Sequence, residues 1–238
     1  MIVRASPWWI LVTGSSLVLI AAGVLMGAWW AASSETRVAT SRVVGTLSAV
    51  ELDLGAAAVE VVGAGGGAVG LRRTESYAFG RRPAESRSVA GGVLRVRSRC
   101  PDTVLGTCST AYRIAVPDNV QVNVRTTSGA VAVARLNGSS RIVTGSGAIV
   151  VDAFCGFSLT ATSGSGDVLA RTECSPDRVE LRSGSGDVRA VVPRGRYRVD
   201  ASSNLGAERV TNLSVAEDAS FAVQAISNGG DVTVEGGR

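Results

Sequence analysis

The chain has 238 residues, with 24 basic and 20 acidic side chains, no histidine and four cysteines. All of its cations are arginine. Without histidine it lacks the commonest neutral-pH acid–base and the usual triad partner, which argues against an enzyme from the outset.

In chain order, residues 8–30 (WWILVTGSSLVLIAAGVLMGAWW) carry no charge. At helical rise they span roughly 35 Å, the length of a tilted membrane crossing. Trp8, Trp9, Trp29 and Trp30 stand where interfacial anchors belong. A cleaved secretory signal is the alternative, but the stretch is long and bulky Trp29 and Trp30 occupy the place of a small-residue cleavage site. The expectation is one N-terminal transmembrane helix, 8–30. Residues 1–7 are then a short cytoplasmic N-terminus, 31–43 a polar stalk and 44–238 an extracytoplasmic β-repeat domain. This makes a single-pass cell-membrane protein, with its N-terminus inside and the cytoplasmic membrane as a partner.

Residues 44–73 read as a degraded strand repeat, with Val50, Leu52 and Leu54 alternating before Gly55. The segment 72–88 breaks the pattern with Arg72, Arg73, Arg81, Arg82 and Arg87. Those five form either a basic surface patch or a solvated loop between strands. Next, Val93, Leu94 and Val96 form a strand whose exposed side is Arg95, Arg97 and Arg99. Cys100 and Cys108 close a short loop suited to a local disulfide. With no CxxC spacing and no histidine, a zinc site is not expected.

From Val122 to Val234 one pattern returns six times: TSG-AVAV, TGSG-AIVV, TSGSG-DVLA, RSGSG-DVRA, SSNLG-AERV and SNGG-DVTV. The aligned glycines are Gly129, Gly147, Gly166, Gly186, Gly206 and Gly230, at spacings of 18, 19, 20, 20 and 24 residues. Apolar residues alternate on both sides of each glycine, so a unit reads as strand, tight turn, strand, longer turn. Glycine suits such turns because it tolerates positive φ. Two topologies fit: coils of a β-solenoid, or hairpins of an antiparallel sandwich. Cys155 and Cys174 lie at the same offset from Gly147 and Gly166. In a solenoid such positions sit about one strand spacing apart, within disulfide reach. The coil reading is therefore preferred: an all-β fold of stacked β-strand repeats (single-stranded β-helix or solenoid-like) following the N-terminal helix.

Turn serines 128, 146, 165, 185 and 203 are explained by local capping. Asp167 and Asp187, with Asp231 later, are expected to cap their own turns rather than bind calcium. GAGGGAVG (63–70) lacks the helix and GK[ST] of a phosphate loop. No catalytic residue, cofactor site or metal site is expected.

These repeats, preceded by AYRIAVP (111–117), resemble the DUF4097 family of adhesin-like β-strand repeat domains over about residues 47–235. That resemblance implies a β-repeat domain, often anchored to bacterial envelopes. The Arg-only, Ala/Gly/Val-rich composition is similar to that of actinobacterial members. Ala130, Ala148 and Ala207 depart from the pattern where Asp or Glu would complete the turn, and the fifth unit is eroded. The expected function is a non-enzymatic, membrane-anchored adhesin or envelope scaffold whose strand faces, including Arg125, Thr160, Arg182 and Arg189, form a polar platform. Regulation through a neighbouring membrane protein is the alternative. An envelope protein or cell-wall polymer is the expected partner and nucleic acid is not. Edge pairing at the final coil would give a weak homo-oligomer.

Overall fold

The computed structural model describes Ser16 and residues 19–29, 33–79, 81–102 and 107–237. Within 8–30, Ser16 and 19–29 are helical, and among the described residues no helix is long and apolar enough to cross a membrane. The transmembrane helix expected at 8–30 is thus not supported. The membrane-anchored function, the single-pass localisation with its N-terminus inside, and the membrane as a partner fall with it. The rest of 8–30, including Trp8, Trp9 and Trp30, lies outside the described residues.

Among the described residues twenty strands follow. The first seven are β1 (Ser34–Val44), β2 (Ala49–Asp53), β3 (Ala58–Ala64), β4 (Ala68–Ala78), β5 (Ala84–Ala90), β6 (Val93–Arg99) and β7 (Cys108–Pro117). The repeats supply β8 (Gln121–Thr126), β9 (Val131–Ala134), β10 (Ser140–Thr144), β11 (Ile149–Phe154), β12 (Ser158–Ser163), β13 (Val168–Thr172), β14 (Arg178–Ser183) and β15 (Val188–Val192). The chain closes with β16 (Arg196–Ser203), β17 (Glu208–Thr211), β18 (Ser214–Val215), β19 (Phe221–Ser227) and β20 (Val232–Gly236). The stretch read as a stalk is largely β1, paired antiparallel with β4.

Two ten-stranded sheets result, and each coil gives one strand to each. The first sheet runs β1-β4-β7-β3-β9-β11-β13-β15-β20-β17, the second β18-β16-β19-β14-β12-β10-β8-β2-β6-β5. Like strands of neighbouring coils pair in parallel, as β10 does with both β8 and β12. The fold is a flattened, two-sided β-solenoid. Antiparallel pairing is confined to one end, where β4 joins β7 and β5 joins β6. Period-two alternation sends one side chain in two between the sheets. Val131, Ile149, Val168, Val188 and Val232 line up on the first sheet; Val124, Ile142, Ala161, Leu181 and Ala225 on the second. All ten are buried.

Coil order in space is not chain order. The coil of β2 and β3 sits between those of β6/β7 and β8/β9, and the coil of β19 and β20 between those of β14/β15 and β16/β17. The final unit therefore does not end the stack. The eroded fifth unit does: every residue of β17 is exposed, and Leu205 beside it is 84 % exposed. A unit with one neighbour has less to bury, so its pattern is free to drift.

The turn glycines need close approach rather than positive φ. Among the described glycines positive φ is confined to Gly45, Gly55, Gly66, Gly91 and Gly92, outside the six aligned positions. A Cβ on Gly147 would lie 2.0 Å from the carbonyl oxygen of Gly129, and one on Gly166 2.3 Å from that of Gly147. Beside these glycines runs a column of hydroxyls: Thr126, Thr144, Ser163, Ser183, Ser227 and Ser203. Ser163 accepts from the Gly166 N–H (2.8 Å) and donates to the Gly147 carbonyl (2.9 Å), and Ser183 repeats this with Gly186 and Gly166. Thr126 bonds the Gly129 carbonyl of its own turn, and each of the other five hydroxyls ties its turn to that of a neighbouring coil, satisfying backbone groups that would otherwise be buried unpaired.

Candidate functional site

The outward positions of the second sheet form a broad polar surface. Register places Arg95, Glu51, Asn123, Arg141 and Thr160 in one row across β6, β2, β8, β10 and β12. The adjacent row holds Arg97, Asp53, Arg125, Val143 and Thr162. All of these residues except Thr162 line an open groove of about 580 Å³. Arg95 donates to Glu51 (2.7 Å) and Arg99 reaches Asp53 at 3.5 Å. Among the described residues Arg97, Arg125 and Arg141 have no ion-pair partner within 4.0 Å, and all three are exposed.

The platform expected from Arg125, Thr160, Arg182 and Arg189 is divided by the fold. Arg125, Thr160 and Arg182 share the second sheet, but Arg189 lies on β15 in the first, bound to Glu235 at 2.6 Å. Arg182 is held by Glu180 and Gln224, both at 2.8 Å. Of the four residues only Arg125 and Thr160 line the groove. Arg95 and Arg97 showed as outward residues by their alternation, but nothing in the sequence placed them beside Arg125. In the fold β2 inserts between β6 and β8, so a strand carrying Glu51 and Asp53 stands between Arg95 and Arg97 on one side and Arg125 on the other.

The segment 72–88 is mainly strand, β4 and β5, and its arginines point to different places. Arg73 turns inward between the sheets, binding Glu75 (3.2 Å) and Glu85 (2.7 Å). Arg87 binds Glu85 and Ser41. Arg72 borders a second groove on the first sheet, lined mainly by alanine and valine. Arg82 sits over the Tyr77 ring, 5.6 Å from its centre, and Arg81 lies in the connection between the strands. Inward alternation along β4 puts Arg73 in the register column that carries Val59 and Val131 in neighbouring coils, and Glu75 beside Thr110 at the next inward position. The result is a charged cap on the open end of the core.

Glu85 is the hub of that cap. Burial alone would raise its pKa; hydrogen bonds from Arg87 and Tyr112, with the charges of Arg87 and Arg73, outweigh burial and hold it below the usual carboxylate value. Tyr112 donates to Glu85 (2.8 Å), and burial, with Glu85 beside it, pushes its pKa up to about 12. A depressed acid contributes stability above its unfolded pKa of about 4.3 and loses it as pH falls through the folded value. Thermal stability should therefore drop on acidification below about pH 4, with a shallower drop in Glu85→Gln. At the alkaline side the folded Tyr112 keeps a proton that the unfolded chain loses near pH 10, so stability should also fall from there towards about pH 12. Melting curves from about pH 2 to 11 check both limbs. An acid limb identical in wild type and Glu85→Gln would contradict the assignment.

Cys100–Cys108 and Cys155–Cys174 are disulfides with Cα separations of 5.8 and 4.8 Å, and the second joins adjacent coils. Asp167 and Asp187 do not cap their own turns. Asp167 Oδ1 accepts the N–H of Asp187 (2.9 Å), Asp187 that of Asp231 (2.8 Å), and Asp231 that of Ala207 (2.8 Å). Each carboxylate thus fastens the coil stacked next to it. Among the described residues no group of three or more His, Cys, Asp or Glu could hold a metal ion. With no histidine in the sequence and every cysteine in a disulfide, the chain offers neither an imidazole base nor a thiol nucleophile.

The family described as Toastrack DUF4097 matches residues 109–235, just over half of the chain. That region is the coil stack from β7 to β20. The match carries neither a membrane anchor nor an actinobacterial source; an arginine-only composition reflects sequence bias rather than fold. A candidate cell adhesion protein from Clostridium sporogenes aligns with a TM-score of 0.48 at 10% identity, over 85% of this chain and 100% of its own. A candidate adhesin from Bacteroides fragilis gives 0.46 at 11% identity, over 84% and 97%. A candidate lipid binding protein from Parabacteroides distasonis gives 0.36 at 12%, over 84% and 96%. Among curated proteins none matches.

Proposed function

Because the chain belongs to the Toastrack DUF4097 family, we propose that it is a non-enzymatic binding module of the adhesin kind, presenting a rigid strand face to an extended ligand. The observation that carries this reading is the open groove across β6, β2, β8, β10 and β12, lined by polar side chains on a backbone fixed by parallel pairing. Such a surface forms without any loop having to order, so binding there costs little conformational entropy. Two disulfides suit an oxidising compartment.

The full chain with both disulfides formed, immobilised on beads, should retain intact bacterial cells saturably. Retention no better than that of beads carrying the reduced, heat-unfolded chain would refute the reading.

A further inference from the structure

We infer that the groove on the second sheet binds an extended anionic glycan, with Arg97, Arg125 and Arg141 as its anion contacts. The inference rests on the binding-module reading above and names the ligand class for that surface. Four arginines (95, 97, 125 and 141) line the groove against two carboxylates, Glu51 and Asp53. Glu51 is occupied by Arg95 and Asp53 lies nearest Arg99. The remaining cations stand on β6, β8 and β10, spread over three strand spacings, about 14 Å. That arrangement suits charges repeated along a chain better than a single small anion. Arginine's planar fork pairs with either carboxylate or phosphate oxygens.

The side chains between the arginines choose among polyanions. Gln121, Asn123, Ser139 and Thr160 offer amide and hydroxyl groups at strand spacing, the donors and acceptors that sugar hydroxyls use. No aromatic side chain lines the groove, so it has no platform for stacking nucleic-acid bases. Nor does it carry the exposed bulky apolar residues that insert between lipid headgroups. Polar rungs with periodic cations fit an acidic polysaccharide. The charge on that glycan is carboxylate or phosphate, and the groove chemistry admits both.

The test uses the full chain and two probes, polygalacturonate for carboxylate and poly(glycerol phosphate) for phosphate, with neutral dextran as the blank. Two triple variants remove the same charge: Arg97→Gln/Arg125→Gln/Arg141→Gln in the groove, and Arg182→Gln/Arg189→Gln/Arg196→Gln at ion-paired sites elsewhere. Wild type should bind at least one anionic probe and not dextran. The groove triple should lose at least tenfold in affinity while the other triple stays within twofold, with melting curves showing both folded. Whichever probe binds identifies the anion. Equal losses in the two triples would mean that net charge alone attracts the probe, and would overturn the proposal. So would a chain that holds cells but neither anionic probe, in which case the binding-module reading survives. A chain that holds neither cells nor probes defeats both.

Discussion

Gly166→Ala is expected to destabilise the domain by about 3 kcal/mol or more, or to prevent folding, because the new methyl has no room. Its Cβ would lie 2.3 Å from the Gly147 carbonyl oxygen and 2.5 Å from that carbonyl carbon, both rigid backbone. Yielding would mean pushing two coils apart at a turn pinned by Ser163, whose hydroxyl bonds both Gly166 and Gly147. Gly67→Ala is the matched control: its Cβ meets nothing within 4 Å. Urea unfolding of the two variants separates the explanations. If glycine served only turn flexibility, both would cost about 1 kcal/mol or less. Comparable losses in both variants would therefore defeat the close-packing account.

Phe154→Ala should cost about 3–5 kcal/mol, the usual range for deleting a buried phenylalanine ring. Phe154 is fully buried at the end of β11, and the core around it is mostly valine, leucine and alanine. Its ring packs so closely over the next turn that a Cβ on Gly156 would lie 2.6 Å from Cζ. The adjoining Cys155–Cys174 disulfide fixes that turn to the following coil, so the backbone is poorly placed to collapse into the void. Equilibrium unfolding with the disulfides intact measures the loss. A loss under about 1 kcal/mol would show that the two sheets close over the gap.

Both predictions turn on how coils contact one another, and the sequence shows that unevenly. The repeat period and the inward valines were plain, since alternation fixes which side of a strand faces the core whichever strand lies beside it. The matched offsets of Cys155 and Cys174 pointed to parallel neighbours, the arrangement that the β10, β12 and β14 registers display. The hydroxyl column was harder to find. The serines nearest the glycines attracted notice, yet the buried links come from Thr144, Ser163, Ser183 and Ser227, each three residues before its glycine. A TxxG or SxxG spacing recurring in every unit was the available signal. Asp167 and Asp187 were placed correctly in their turns but tied to the wrong partner, because the N–H that each accepts belongs to a different coil.

The groove was least visible of all. Its arginines come from 95–97, 125 and 141, which chain order places on successive units with nothing between the first pair. In space β2, from residues 49–53, lies between them and contributes Glu51 and Asp53. That insertion, and the matching one of β19 and β20 beneath β16 and β17, decides which charges meet and which unit is left at the edge.

By itself, then, the sequence determined the strand period, the buried face of each strand, the turn positions and the cysteines able to bridge coils. All of these follow from side-chain alternation and spacing within one or two units. Only the tertiary structure decided the stacking order, the charged cap of Arg73, Glu75 and Glu85, and the grouping of Arg97, Arg125 and Arg141. Parallel coils offer nearly equivalent backbone edges to one another, so local pattern does not say which pair. The β4–β5 excursion sets β6 and β7 outside β2 and β3, and the short connection from Pro117 to Gln121 then crosses to the inner side of that coil. The extended turn before β19 makes the matching inward return at the other end.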